Sequence, residues 1–153
     1  MRDAISAGQQ ALVLAREVRK ELGDAESWSD WDLLGGGLLS DVAKHDALDT
    51  AQELIERLQI QLRRFKSELG DVDIREDLQA NVEGFLRFAD YFFDGLFVDW
   101  MVNDQISQSQ SRIQETLSRL ENIQSHLQRR LESANQELSQ AQSTLDKLVF
   151  QAE

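Results

Sequence analysis

The sequence predicts an all-α protein, an elongated bundle of about four helices with a long C-terminal coiled-coil helix. The 153 residues include no proline, the residue that most often interrupts helices. Leu, Ala, Glu and Gln, which favour helices, are abundant, whereas the residues typical of sheets are sparse. Apolar residues also recur with a heptad period from Ile106 to Leu148. We therefore expect one helical domain spanning residues 1–153.

The first helix is expected at about residues 3–22. Its apolar residues recur at steps of three and four, which indicates one buried helix face: Ala4, Ala11, Ala15, Val18 and Leu22. Gly23-Asp24 is the expected stop. Residues 24–37 lack this period and end in three glycines, Gly35 to Gly37, which are costly to order in a helix. The sequence therefore predicts a loop over residues 24–37.

The second and third helices are expected at about residues 38–69 and 74–102. The apolar positions of the second helix alternate three and four residues apart, as in a coiled coil: Leu48, Ala51, Ile55, Leu58, Leu62, Phe65 and Leu69. Gly70 follows where a C-cap glycine belongs. The third helix is apolar on several sides, which places it at the centre of the bundle. Its main apolar line is Leu78, Val82, Phe85, Ala89, Phe92 and Leu96.

The last helix is expected at about residues 104–150 and would be about 70 Å long. Two sets of heptad positions form its apolar seam: Ile106, Ile113, Leu120, Leu127, Ala134, Ala141 and Leu148, and Leu117, Gln124, Leu131, Leu138 and Leu145. No other predicted helix is long enough to cover this seam. Either the first helix folds back over its distal half, or a second copy of the chain covers it. The few flanking charges do not dictate a parallel or an antiparallel pairing.

Two short segments are not explained by helical packing. The first is Trp31-Asp32-Leu33-Leu34-Gly35-Gly36-Gly37, and the second contains Phe93, Asp94 and Asp99. Both segments resemble motifs of an uncharacterised family of bacterial and fungal coiled-coil proteins. Members of that family carry an aromatic-Asp-x-x-Gly-Gly-Gly stretch and a later Phe-Asp-x-x-x-x-Asp stretch. The resemblance implies a coiled-coil architecture and implies no activity.

The glycine triplet opens the second helix, and helix starts present unpaired N–H groups with partial positive charge. One hypothesis is an anion-binding motif, whose residues would be Asp32, Gly35, Gly36, Gly37 and Lys44. The favoured interpretation is structural, with an internal carboxylate from Asp94 or Asp99 accepting the same hydrogen bonds. The Walker pattern is absent, because no Gly-Lys-Ser/Thr follows the triplet.

A second hypothesis is a divalent metal site. His45 and Asp49 share one helix face, as do Asp90 and Asp94, because each pair is four residues apart. A histidine with three carboxylates can bind a divalent metal inside a helical bundle. The favoured interpretation is again structural, with His45 hydrogen-bonded to an aspartate. The paired Glu-x-x-His motifs of di-iron proteins are missing.

Composition excludes several function classes. The formal charge of −12 argues against a nucleic-acid partner, and no apolar run approaches the roughly 20 residues of a membrane span. There are no cysteines, no signal-peptide pattern and no nucleophile–base pair that would indicate a catalytic site.

We therefore expect a cytoplasmic, non-enzymatic interaction or scaffold module that pairs with itself, as a homodimer, or with another helical protein. The alternative is a metal- or small-anion-binding protein, such as a hydrolase, using His45 and the Asp90/Asp94 cluster.

Overall fold

The structure, a computed structural model, describes residues 1–33, 38–72, 76–93 and 106–152. Side chains are described for residues 1–24, 46, 49–72, 79, 81–89 and 109–151. This part of the chain forms four α-helices: α1 (Arg2–Leu33), α2 (Leu38–Gly70), α3 (Glu76–Phe93) and α4 (Ile106–Ala152). The predicted all-α fold class is confirmed.

The four described helices form a bundle in which α1 and α4 are antiparallel. α1 contacts α2 and α4, and α3 contacts the same two helices. Two hydrogen bonds show the antiparallel direction of α1 and α4, because residue numbers rise along α1 as they fall along α4. The carbonyl oxygen of Ile5 accepts from Gln124, and that of Leu22 accepts from Gln110.

The core includes the apolar lines that the heptad and helical periods predict, together with buried residues outside those lines, among them Ala7, Leu54 and Ile123. All five predicted positions of α1 are buried, as are the described positions of α2 and α3. At the centre, the rings of Phe65 and Phe85 pack edge to face with their centroids 5.3 Å apart. Val82 and Ala89 of α3 face the same core. One face of the described part of α3 therefore packs on the core, whereas Asn81, Glu83 and Arg87 are exposed. Most residues that make this helix apolar on several sides have side chains outside the described residues, so its central place in the bundle stays a prediction.

The prediction that the first helix ends at residue 22 and that a loop follows over 24–37 was wrong for residues 24–33. α1 continues through Gly23 and Asp24 to Leu33. A single glycine costs only about 1 kcal/mol in a helix, and the side chain of Lys20 lies 3.8 Å from that of Asp24 one turn later. The residues that follow include no proline, so the helix meets no stronger stop before the glycine triplet.

The starts of α2, α3 and α4 and the ends of α2 and α4 lie within two residues of the prediction. The predicted end of the third helix, at about residue 102, lies outside the described residues. α2 ends at Gly70, one residue after its predicted end, and Val72 donates a backbone hydrogen bond to Leu69 in the turn that follows. α4 extends over 47 residues, which corresponds to about 70 Å. It is the longest of the described helices, and it passes beyond the bundle at its C-terminal end.

Candidate interaction surface

Most of the site residues predicted from the sequence have side chains that lie outside the described part of the chain. Asp49 lies on α2 and is exposed. The helix positions of four more are described, but their side chains are not: Asp32 on α1, Lys44 and His45 on α2, and Asp90 on α3. Four others lie wholly outside the described residues: Gly35, Gly36, Gly37 and Asp94. Among the described side chains, no three His, Cys, Asp or Glu residues are grouped as metal ligands. The anion site and the metal site therefore stay predictions.

The first half of the α4 seam is covered by the bundle. Four apolar side chains of this half are 2% exposed or less: Ile113, Leu117, Leu120 and Leu127. Ile123, beside the seam, is 1% exposed. α1 covers them from one side and is fixed there by polar contacts. The Arg16 guanidinium lies 3.0 Å from the Glu121 carboxylate, and Arg19 donates to the Gln114 side chain. α1 therefore covers the proximal half of the seam. The alternative in which the first helix folds back over the distal half is wrong.

Gln124 fixes the position at which α1 meets this half of the seam. It is a polar residue on the seam, is 4% exposed, and its amide nitrogen donates a hydrogen bond to the carbonyl oxygen of Ile5. Gly8 makes room for this side chain. A Cβ atom at Gly8 would lie 2.6 Å from Oε1 of Gln124 and 2.9 Å from the ring of Phe65. These three residues join α1, α2 and α4 at one point.

The second half of the α4 seam is exposed. We call its core positions the distal stripe: Ala134, Leu138, Ala141, Leu145 and Leu148. The exposed fractions of the three leucines are 58%, 61% and 60%, and Val149 and Phe150 beside them are 55% and 84% exposed. Every described side chain from 132 to 151 is exposed. The heptad pattern thus continues without interruption from a buried half into a half that nothing in the described structure covers.

The residues around the distal stripe are mostly uncharged. Positions 132–151 contain only Glu132, Glu137, Asp146 and Lys147 as charged residues, and the rest of the polar side chains are Gln, Ser, Thr and Asn. A helix surface with few charges has little electrostatic repulsion to overcome when it pairs with a copy of itself. The segment is also long enough for about six turns.

The stripe begins at a groove where α1 starts alongside α4. Ile5, on the first turns of α1, forms one wall of this groove, and Leu131 and Gln128 of α4 form the other. Leu131 is only partly exposed. The groove continues along α4 past Glu132 and Asn135 to Ser139. The covered and uncovered halves of the seam therefore meet at Leu131.

Sequence reasoning identified the seam but not this boundary. It also missed Gly8, Ala7, Leu12 and Leu14 as buried or tightly packed positions of α1. A glycine inside an otherwise regular helix was the available signal for Gly8, because it indicates a close approach by a neighbour.

Comparisons of the chain with protein families, with curated proteins and with solved structures find no match. The resemblance to the bacterial and fungal coiled-coil family therefore stays a prediction. Within the described chain, no helix combines the length and the apolar character that crossing a bilayer requires.

Proposed function

We propose that this protein is a non-enzymatic helical scaffold that self-associates through the distal stripe of α4. The observation that carries the proposal is the exposure of Leu138, Leu145 and Leu148 on a heptad seam whose first half is buried. Coiled-coil seams are stable when a second helix fills the space between successive core residues. A second copy supplies such a helix with the same spacing.

The leucines of the distal stripe supply a moderate driving force. Fully burying one leucine is worth about 1.5–3 kcal/mol, and rather more than half of each of the three leucines is available for burial. A dimer would bury six of them, for roughly 5–10 kcal/mol before the entropic cost of association. We therefore expect a dimer that dissociates on dilution, not an obligate one.

The distal stripe can be altered without disturbing the bundle, because none of its described side chains is buried in the monomer. The test variant is Leu138→Gln with Leu145→Gln. The matched control is Gln140→Ser with Ser143→Gln, two exposed changes on the same turns but off the seam and outside the groove that begins at Ile5 and Leu131. A truncation ending at Gln128 removes the whole stripe. Light scattering across a concentration series measures the mass of each protein.

We expect the intact chain and the control to be dimers at high micromolar concentration, and the leucine variant and the truncation to be monomers with unchanged bundle helicity. A monomeric intact chain at about 100 µM refutes self-association through the distal stripe. If the leucine variant and the truncation both stay dimeric, the interface lies elsewhere in the bundle.

A further inference from the structure

We infer that two copies pair in an antiparallel orientation, with the end of each α4 lying next to the start of α1 of the other copy. This inference rests on the proposed self-association and adds its geometry: which direction the two helices run, and where each one ends. It is carried by the position of the bundle on α4 and by the order of residues along the distal stripe.

The bundle lies on the same face of α4 as the distal stripe. The buried core residues Leu117, Leu120 and Leu127 occupy the same heptad positions as the exposed Leu138, Leu145 and Leu148. α1 therefore lies along the line that a paired helix would follow if it continued past Leu131 towards the N-terminal end of α4. A helix paired with the distal stripe must end before it reaches α1.

A parallel pair fails this condition. In a parallel pair both bundles would be attached at the same end, and each bundle would lie on the face of its α4 that points to the partner. The two bundles would then compete for the space between the helices, and the helices would have to separate at Leu131. An antiparallel pair places the bundles at opposite ends, where each lies beyond the end of the other helix. The resulting interface is isologous and closes with two copies.

The residue order of the stripe favours the same orientation. Along the stripe, small and large residues alternate as Ala134, Leu138, Ala141 and Leu145 before the final Leu148. In a parallel pair equivalent positions face each other, so alanine would meet alanine and leucine would meet leucine in alternate layers. Two straight helices cannot fill both kinds of layer well at one separation. In an antiparallel pair the two kinds of heptad position face each other, so Ala141 can face a leucine instead of a second alanine.

The space before α1 selects one register. If Ala141 faces the partner's Leu145, then Leu138 faces the partner's Leu148. The two-fold axis then crosses α4 at the level of residue 143, whose own side chain lies off the seam. The last residues of the partner's helix then lie beside Ala134, along the groove that begins at Ile5 and Leu131. A shift of one heptad in one direction would push the partner's helix into the space of α1. The same shift in the other direction would leave Leu138 uncovered.

Site-specific cross-linking tests this geometry, because the chain has no cysteine to interfere. The probes are Arg2→Cys and Gln151→Cys, both at exposed positions, joined by a short flexible bis-maleimide. In the inferred dimer, Arg2 lies within about 10 Å of the partner's Gln151 along the axis. In contrast, Gln151 lies about 24 Å from the partner's Gln151, and about 30 Å along α4 from the Arg2 of its own chain. Thr144→Cys, close to the axis, is the control that cross-links in either orientation.

We expect the double variant Arg2→Cys/Gln151→Cys to cross-link into dimers, and each single variant to remain uncross-linked while Thr144→Cys cross-links. Cross-linking of Gln151→Cys alone overturns the antiparallel orientation and leaves self-association standing. If Thr144→Cys cross-links but the double variant does not, the placement of the helix end beside α1 is overturned. If Thr144→Cys does not cross-link and the chain is a monomer, the proposed function fails together with this inference.

Discussion

Gly8 permits a comparison that separates backbone preference from packing. Gly8 and Gly23 both lie inside α1, so alanine at either position should gain about 1 kcal/mol of helix preference. Their surroundings differ. A Cβ atom at Gly23 would have no neighbour within 4 Å, whereas one at Gly8 would lie 2.6 Å from Gln124 and 2.9 Å from Phe65. The difference in stability between the two variants therefore measures the packing at Gly8.

The cost at Gly8 follows from what its neighbours can do. The Phe65 ring is fully buried and held against Phe85, so it has little room to move. The Gln124 amide can rotate away only by giving up its hydrogen bond to Ile5, a loss of about 1 kcal/mol. Overpacking a core by one methyl group typically costs about 1–3 kcal/mol. We expect Gly8→Ala to lose up to about 2 kcal/mol net, and Gly23→Ala to gain about 0.5–1 kcal/mol.

Urea unfolding of the two variants at one fixed protein concentration measures these values, because self-association would otherwise contribute to apparent stability. Equal stabilisation by the two alanines would refute the close packing at Gly8. A further variant, Gly8→Ala with Gln124→Ala, identifies the neighbour responsible. If the amide is the obstacle, the cost of Gly8→Ala falls when Gln124 is shortened. If the Phe65 ring is the obstacle, the cost is the same in both backgrounds.

Two further predictions concern the core and the alternative function. Phe85→Ala should cost about 3–5 kcal/mol, because the ring is fully buried and packs against Phe65; a loss below 1 kcal/mol in urea unfolding would contradict this packing. The purified protein should contain no stoichiometric Mn, Fe, Mg or Zn when its metal content is measured by mass spectrometry. A stoichiometric metal that is lost in His45→Ala would instead support the metal site of His45, Asp49, Asp90 and Asp94.

The apolar faces were predictable because they depend on spacing alone. The buried residues Ala51, Ile55 and Leu58 of α2 follow directly from the alternation of three- and four-residue steps. The end of α1 was not predictable in this way. A glycine followed by an aspartate is a weak local stop, and its cost of about 1 kcal/mol is small beside the packing of a long helix.

The boundary of the interaction surface depends on contacts between distant parts of the chain. The sequence already indicated that the seam of α4 is longer than any helix that could cover it. Which half is covered depends on where α1 lies along it, and the contact that fixes this position joins Ile5 to Gln124, 119 residues apart. No local pattern in either segment encodes that pairing. The glycine-rich and aspartate-rich segments, in contrast, were singled out from sequence, and most of their residues lie outside the described chain.

The same contact links the folding of the bundle to the surface left for a partner. Gln124 and Gly8 hold α1 at one register on α4, and α1 therefore begins beside Leu131. If α1 lay one heptad further towards the C-terminal end of α4, it would cover Leu138 and shorten the free stripe by about 10 Å. If it lay one heptad in the other direction, Leu127 would lose its cover. The buried glutamine on the seam thus divides one continuous helix surface into a part used for folding and a part that remains for association.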